Sequence, residues 1–358
     1  MTDPLETEER NGLTGARLWG YQTYLSLAAT GVVLALLVSQ VDLAEVWRQV
    51  VASDKHYLFL AALSHYATYP VRGARWRLCI RHVPCRCGSG RFALLAFFFL
   101  FVDNLVPAKL GDFYGAHLAR INCGVRRSVA LGSIVFQRTV DAWIVLFLAA
   151  ATSWRLFSAG LPRPVLWALA LAGLFTVAVT AVLVVFSVLN RALPSFVPDS
   201  FRQRIAAFRE GMLPERAEII PVLFLSAIIW SLESLWIFLL LRAFGLQEGA
   251  LEAVFLMAIP VIASVFPFTP SGAGAVELSL FGSLRLIGIA SPLAVSVTIV
   301  NRFIDYWLHI VLGTLVWLLR RKIGLQTWKD VPERGGDPLR VAGMLFAGFT
   351  LFGLPQLL

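Results

Sequence analysis

The sequence predicts an all-α polytopic membrane protein, with about seven transmembrane helices plus two re-entrant helical hairpins in an inverted repeat. Three observations carry this expectation. Of 358 residues, 58% are hydrophobic and 15% charged, against about 45–50% apolar and about 25% charged in soluble domains. Six apolar runs are long enough to cross roughly 30 Å of hydrocarbon. The basic residues gather between these runs. A water-soluble enzyme cannot bury this much apolar surface. Disorder and a disulfide scaffold are excluded by the apolar content and the four Cys. The net charge of +9 faces anionic lipid headgroups rather than nucleic acid, because the arginines flank apolar runs.

Taken in order, the runs are 21–41, 57–80, 128–154, 164–188, 219–244 and 291–319, with a shorter one at 341–357. The first is no cleaved signal, since Asp3, Glu6, Glu8 and Glu9 precede it and it is too long for a signal core. Segments 72–91, 189–218 and 320–340 are rich in Arg and Lys and are placed in the cytoplasm; 42–56, 155–163 and 245–250 are poor in bases and are placed outside. Two further runs, 91–103 and 251–266, are cut short by the glycine- and proline-bearing stretches after them. A single crossing by 91–121 would put Arg126 and Arg127 outside and invert every later loop. Two re-entrant hairpins, 91–121 and 251–290, keep all loops consistent.

The resulting organisation is a cytoplasmic tail at 1–20, then a first span and external interfacial helix at 21–56. Repeat one follows at 57–188, a cytoplasmic amphipathic connector at 189–218, repeat two at 219–320, and a cytoplasmic segment with the last span at 321–358. The expected setting is a bacterial-type inner membrane, with the N-terminus inside and the C-terminus outside.

The repeat rests on spacing. The chain reads Pro107-x3-Gly111, Gly124, then Arg138-x2-Asp141; later it reads Pro270-x3-Gly274, Gly288, then Arg302-x2-Asp305. Pro107 and Pro270 are 163 residues apart, and Arg138 and Arg302 are 164 apart. An acid follows each glycine: Asp112 and Glu277. With three crossings per period the second copy must be inverted, an arrangement found in transporters with broken helices.

Asn104-x2-Pro107-x3-Gly111-Asp112 with Arg138-x2-Asp141 resembles a motif of one family. So does Pro267-x2-Pro270-Ser271-Gly272-x-Gly274-x2-Glu277 with Arg302-x2-Asp305. The family is the lysylphosphatidylglycerol synthase transmembrane region, the MprF-type flippase domain with AglD-like relatives. The resemblance covers about residues 20–320. The first motif departs from the pattern at Lys109 and Asp112, where the family has Arg and Glu. Members that modify lipids carry a cytosolic aminoacyl-transferase domain. The resemblance here implies the lipid-translocating half without that domain.

Four charges, Arg138, Asp141, Arg302 and Asp305, fall deep in apolar runs. Each costs roughly 2.5–3.5 kcal/mol at the bilayer centre, so they must face protein. Spacing i, i+3 puts each Arg beside its Asp on one helix face. Such a pair either pins a hairpin or holds a guanidinium ready for a phosphate. Half-helices beginning near Gly111 and Gly274 would aim free N–H groups at an anion. Asp112 reads as a helix N-terminal acid, and Glu277 as a gating or proton-linked group. Glu233 is an intramembrane acid and so a functional candidate; a structural pairing with Arg302 or Arg138 is the competing reading. Tyr114, His117 and Arg120 share one helix face and either touch a headgroup or fill the hairpin. His65 and His309 read as hydrogen-bonded packing.

Residues 201–212 carry Phe201, Ile205, Phe208 and Met212 on one face, an amphipathic helix on the inner leaflet. Cys79, Cys85, Cys87 and Cys123 fall on the cytoplasmic side and are expected as thiols. Their spacing lacks the paired knuckles of a four-thiolate zinc site, so no metal is expected. No cofactor is expected either: Walker A, zinc-hydrolase, G-x-S-x-G and G-x-G-x-x-G signatures are absent. The leading expectation is a lipid translocase acting on a phospholipid or lipid-linked sugar, with no nucleic acid partner. A lipid-synthesising enzyme partner and an oligomer stay open. The rival is a membrane glycosyltransferase using Asp42 and Glu45; a third reading is a non-transporting scaffold.

Overall fold

The computed structural model describes residues 42–105, 111–189, 199–264, 272 and 274–327. The expected spans 21–41 and 341–357, and site residues Pro107, Lys109, Pro270 and Ser271, lie outside them. The described residues are helical, with no strand among them. Residues through Trp317 belong to one compact unit.

A short helix α1 (Leu43–Ala52) is capped by Asp42, whose carboxylate accepts from the Ala44 N–H at 2.9 Å. Trp47 and Val51 stay exposed on it. Asp54 caps α2 (Lys55–Cys79) in the same way. Then come α3 (Ser89–Leu105) and α4 (Gly111–Cys123). Next are α5 (Arg127–Leu156), α6 (Arg163–Leu189), α7 (Asp199–Met212) and α8 (Arg216–Ala243). The last are α9 (Ala250–Ala263), α10 (Ala275–Leu286), α11 (Ser291–Arg302) and α12 (Leu308–Leu319). A π-helical turn, Phe303–Trp307, joins α11 to α12.

Among the described residues, four helices are long and apolar enough to cross a membrane: Arg127–Leu156, Arg163–Val185, Arg216–Ala243 and Ser291–Leu319. They match four of the expected spans. The fifth, α2, has the length but is too polar. Its polar residues are turned inward, where α8 runs antiparallel to it. Asp54 N–H donates to the Ala243 carbonyl at 2.8 Å, Ser64 Oγ to that of Leu232 at 2.8 Å, and Arg75 to Ser226 Oγ at 2.8 Å. Segment 72–91 is therefore not wholly a loop. Arg72 and Arg75 belong to α2, and Arg75 is buried at 3% exposure.

The helices α3 and α4 form an antiparallel hairpin. A Cβ on Gly111 would meet Asp103, and one on Gly115 would meet Phe99. At about 1.5 Å per residue, the 13 residues of α4 span about 20 Å, too short to cross alone. In the second pair, α10 has only 12 residues. Each half-helix starts at or next to a glycine of the repeated motif. Gly274 holds φ +87° just before α10, a left-handed conformation that favours glycine.

Two expectations are corrected. The apolar face of α7 does not simply lie on a membrane surface, because Ile205 and Met212 are buried and α7 docks on α5. The contact is close enough that a Cβ on Gly132 would strike the Phe208 carbonyl and one on Gly211 the Val129 carbonyl. Small residues let the two backbones meet. Arg126 and Glu210 form an ion pair beside this crossing. The four cysteines are not all thiols: Cys87 and Cys123 form a disulfide, and Cys79 and Cys85 are free. The hairpin brings the residues just before α3 beside the last residue of α4, which the 36-residue separation hides.

Candidate functional site

The buried core of the unit is crossed by a belt of charge centred on α2 and α8. At one end, Arg75 grips Asp141 with both terminal nitrogens, at 2.6 and 2.8 Å. It also donates to Ser226 Oγ at 2.8 Å and Gln137 Oε1 at 3.2 Å, while Trp230 Nε1 donates to Asp141 at 3.0 Å. A bidentate guanidinium–carboxylate pair with its other lone pairs satisfied is the arrangement in which two buried charges are tolerated.

One turn along α2, Arg72 donates to one oxygen of Glu233 at 2.8 Å, and His65 Nδ1 donates to the other at 3.1 Å. The second nitrogen of His65 lies 3.9 Å from Asp305. Asp305 is 3.7 Å from Arg302, which pairs more closely with Glu277 at 2.8 Å and lies over the Tyr306 ring. Glu277 turns its other oxygen to the Gly274 N–H at 2.7 Å, closing the start of α10. The chain Arg72–Glu233–His65–Asp305–Arg302–Glu277 thus links α2, α8, the π turn and the second hairpin.

The first hairpin joins through Arg138, which donates to Asp112 at 2.9 Å and lies 3.7 Å from Asp103. It joins a second time through α12. His309 Nε2 donates to the Phe97 carbonyl at 3.1 Å, so its Nδ1 accepts; Tyr69 Oη lies 3.1 Å and Asn104 Nδ2 3.3 Å from that atom. A cleft of about 40 Å³ opens between Arg72, Arg75, Arg138, Gln137 and Asp141. It has room for a few waters.

Several expected pairings are corrected. Asp141 does not pair with Arg138. Asp141 turns to Arg75, and Arg138 turns to the hairpin acids. Spacing i, i+3 permits the helical pair, but a bidentate partner on α2 and a second acid on α4 outcompete it. Arg302 does meet Asp305, yet Glu277 is the nearer partner. Glu233 is held by Arg72 and His65 rather than by Arg302 or Arg138. Tyr114 stacks with His117 and meets Phe98 inside the hairpin, and Arg120 is exposed on the last turn of α4. Gly111 abuts Asp103, and Gly272 holds φ +66° against Ser264.

Sequence reasoning missed Arg72 and Arg75, counting them as loop bases. The readable signal was the stripe His65, Thr68, Arg72 at helical spacing, continuing to Trp76. Asp42 and Glu45 are also occupied. The first caps α1, and the second pairs with Arg48 at 2.7 Å and accepts from Gln49 at 2.9 Å.

Residues 24–313 match the model of the lysylphosphatidylglycerol synthase transmembrane region. A UPF0104 membrane protein of Methanocaldococcus jannaschii is 24% identical over 62% of this chain and 94% of its own length. A second from the same organism is 22% identical over 80% of this chain and 91% of its own. The glycosyltransferase AglD of Haloferax volcanii is 23% identical over 75% of this chain but 49% of its own length. With most of its length covered by the family model, this multi-pass, helical chain belongs to the lysylphosphatidylglycerol synthase transmembrane-region family.

Proposed function

We propose that the protein is a lipid translocase, in which the headgroup crosses between the two hairpins while the acyl chains stay in the bilayer. The observation that carries this reading is the recurrence of one contact. Each hairpin acid is tied to the arginine of the helix that follows it, Asp112 to Arg138 and Glu277 to Arg302. That recurrence is what an inverted repeat would produce, and it supports reading each arginine, beside its half-helix start, as the group that meets an anion.

The charge balance sets how a headgroup could enter. Six carboxylates (Asp103, Asp112, Asp141, Glu233, Glu277 and Asp305) share the belt with four guanidiniums (Arg72, Arg75, Arg138 and Arg302). A phosphate gains a guanidinium only by displacing a carboxylate. Displacing Asp112 or Glu277 detaches a hairpin from its helix, so binding and opening are one event. A headgroup carrying an amine as well as a phosphate meets both released partners. The small cleft fits a closed state that opens on such an exchange. Of the described residues, Arg138, Arg302, Asp141, Asp305, Glu233, Asn104, Gly111, Gly272 and Gly274 would line this route.

The test is leaflet exchange of a fluorescent phospholipid in proteoliposomes, read by external quenching. Exchange is expected well above protein-free vesicles, with lipid mass unchanged, and is expected to vanish in Arg302→Gln/Asp305→Asn at normal expression. Normal exchange by that double variant would reduce the pair to a structural role. Sugar transfer to a lipid phosphate, lost in Asp42→Ala and kept in Arg302→Gln, would establish the glycosyltransferase reading instead.

A further inference from the structure

A second site lies at the base of the first hairpin, away from the charge belt. The sulfurs of Cys85, Cys87 and Cys123 all lie within 4.8 Å of one another. Cys85 and Cys87 come from the turn between α2 and α3, and Cys123 is the last residue of α4. Hydrogen bonds hold the two segments together. Arg86 N–H donates to the Cys123 carbonyl at 3.2 Å, Arg91 to Asn122 Oδ1 at 3.1 Å, and Arg77 Nε to the Cys87 carbonyl at 3.2 Å. The Cys87 N–H donates to Cys85 Sγ at 3.4 Å, holding that sulfur beside Cys87.

We propose that in its reduced form the protein binds one thiophilic cation of the zinc class through Cys85, Cys87 and Cys123. Three sulfurs each about 2.3 Å from one ion lie about 3.8–4.0 Å apart, inside the 4.8 Å within which these three sulfurs already lie. The disulfide is the two-electron oxidised form of two of the three ligands. A thiol reductant returns it to two thiols and is itself oxidised to a disulfide. Binding then forms three metal–sulfur bonds and releases the three thiol protons, with no electron transfer. Cys85 and Cys87 are half-buried, so water reaches the fourth position. Soft thiolates select zinc or copper(I) over magnesium or calcium. The buried Cys79 takes no part. Because the ligands sit at both ends of α3–α4, the ion staples the hairpin whatever the charge belt does, and this inference does not rest on the translocase reading.

The test uses the full-length protein, purified in detergent under a thiol reductant, equilibrated with zinc and freed of excess. About one zinc per chain is expected, retained in Cys79→Ser and reduced at least tenfold in Cys85→Ser and Cys123→Ser. In the wild-type protein alone, zinc should shield Cys85, Cys87 and Cys123 from alkylation, and cobalt(II) should give intense thiolate-to-metal absorption in the near ultraviolet. Equal zinc in the wild type and in Cys123→Ser would overturn the proposal. So would alkylation unaffected by zinc, or a Cys87–Cys123 bond that survives excess thiol with zinc present.

Discussion

Each hairpin carries an acid tied to the arginine of the following helix, yet the two are held with opposite emphasis. In the first half the outer acid is the tight one: Asp141 is gripped bidentately by Arg75, with side-chain exposures of 12% and 3%. Its hairpin contact is looser, since Asp112 and Arg138 are 18% and 37% exposed. In the second half the order is reversed. The hairpin contact Glu277–Arg302 is 5% and 10% exposed, while Asp305 is 34% exposed and reaches only 3.7 and 3.9 Å partners. Burial raises the strength of a satisfied charge pair and the cost of breaking it. The first hairpin is thus the easier of the two to release, and the second half offers the more accessible carboxylate.

Substitutions can break or sharpen this contrast. The largest effect is expected for Asp141→Asn, which strands the buried Arg75 and should cost about 3–5 kcal/mol of stability, read as a lowered thermal midpoint in detergent. Arg75→Met/Asp141→Leu should fold better than either single change, because no orphan charge remains. Equal damage from the double variant would show that the pair has a role beyond neutralising itself. Next comes Glu277→Gln, which weakens an ion pair and a helix start together, at about 2–3 kcal/mol. Asp112→Asn should cost about 1 kcal/mol, its pair being part-exposed. If Asp112→Asn matched Glu277→Gln, the asymmetry between the hairpins would be lost. The smallest stability effect is expected for Asp305→Asn, within about 0.5 kcal/mol, while exchange should fall more than stability does. A change in stability as large as that of Glu277→Gln would refute the reading of Asp305 as the accessible acid.

Much of this was legible in the sequence because hydrophobic run length and glycine punctuation are local signals. The spans at α5, α6 and α8 followed from run length, and the glycine starts of α4 and α10 from the motif spacing. Partner choice was not legible. Arg138 and Asp141 are three residues apart, and periodicity alone pairs them; only the packing of α2 against α8 brings Arg75 to Asp141. Arg72 and Arg75 were hidden by the rule that bases gather in the loops between spans, whereas α2 runs on to Cys79 and carries Arg72, Arg75 and Arg77 within it. The acids Asp112 and Glu277 were found as helix-start residues, and their arginine partners became visible only once each hairpin folded back.

The helix through α11, the π turn and α12 touches both hairpins. Arg302 faces Glu277 of the second, and His309 faces Phe97 and Asn104 of the first. Further along, Gly313 lies so close to Phe101 that a Cβ there would strike its ring. The helix therefore works as a yoke. Arg302 and His309 thus anchor this one helix to both hairpins. The flush seat of Gly313 on Phe101 leaves the yoke no slack at its far end, so motion must be taken up in the wider π turn between Arg302 and His309.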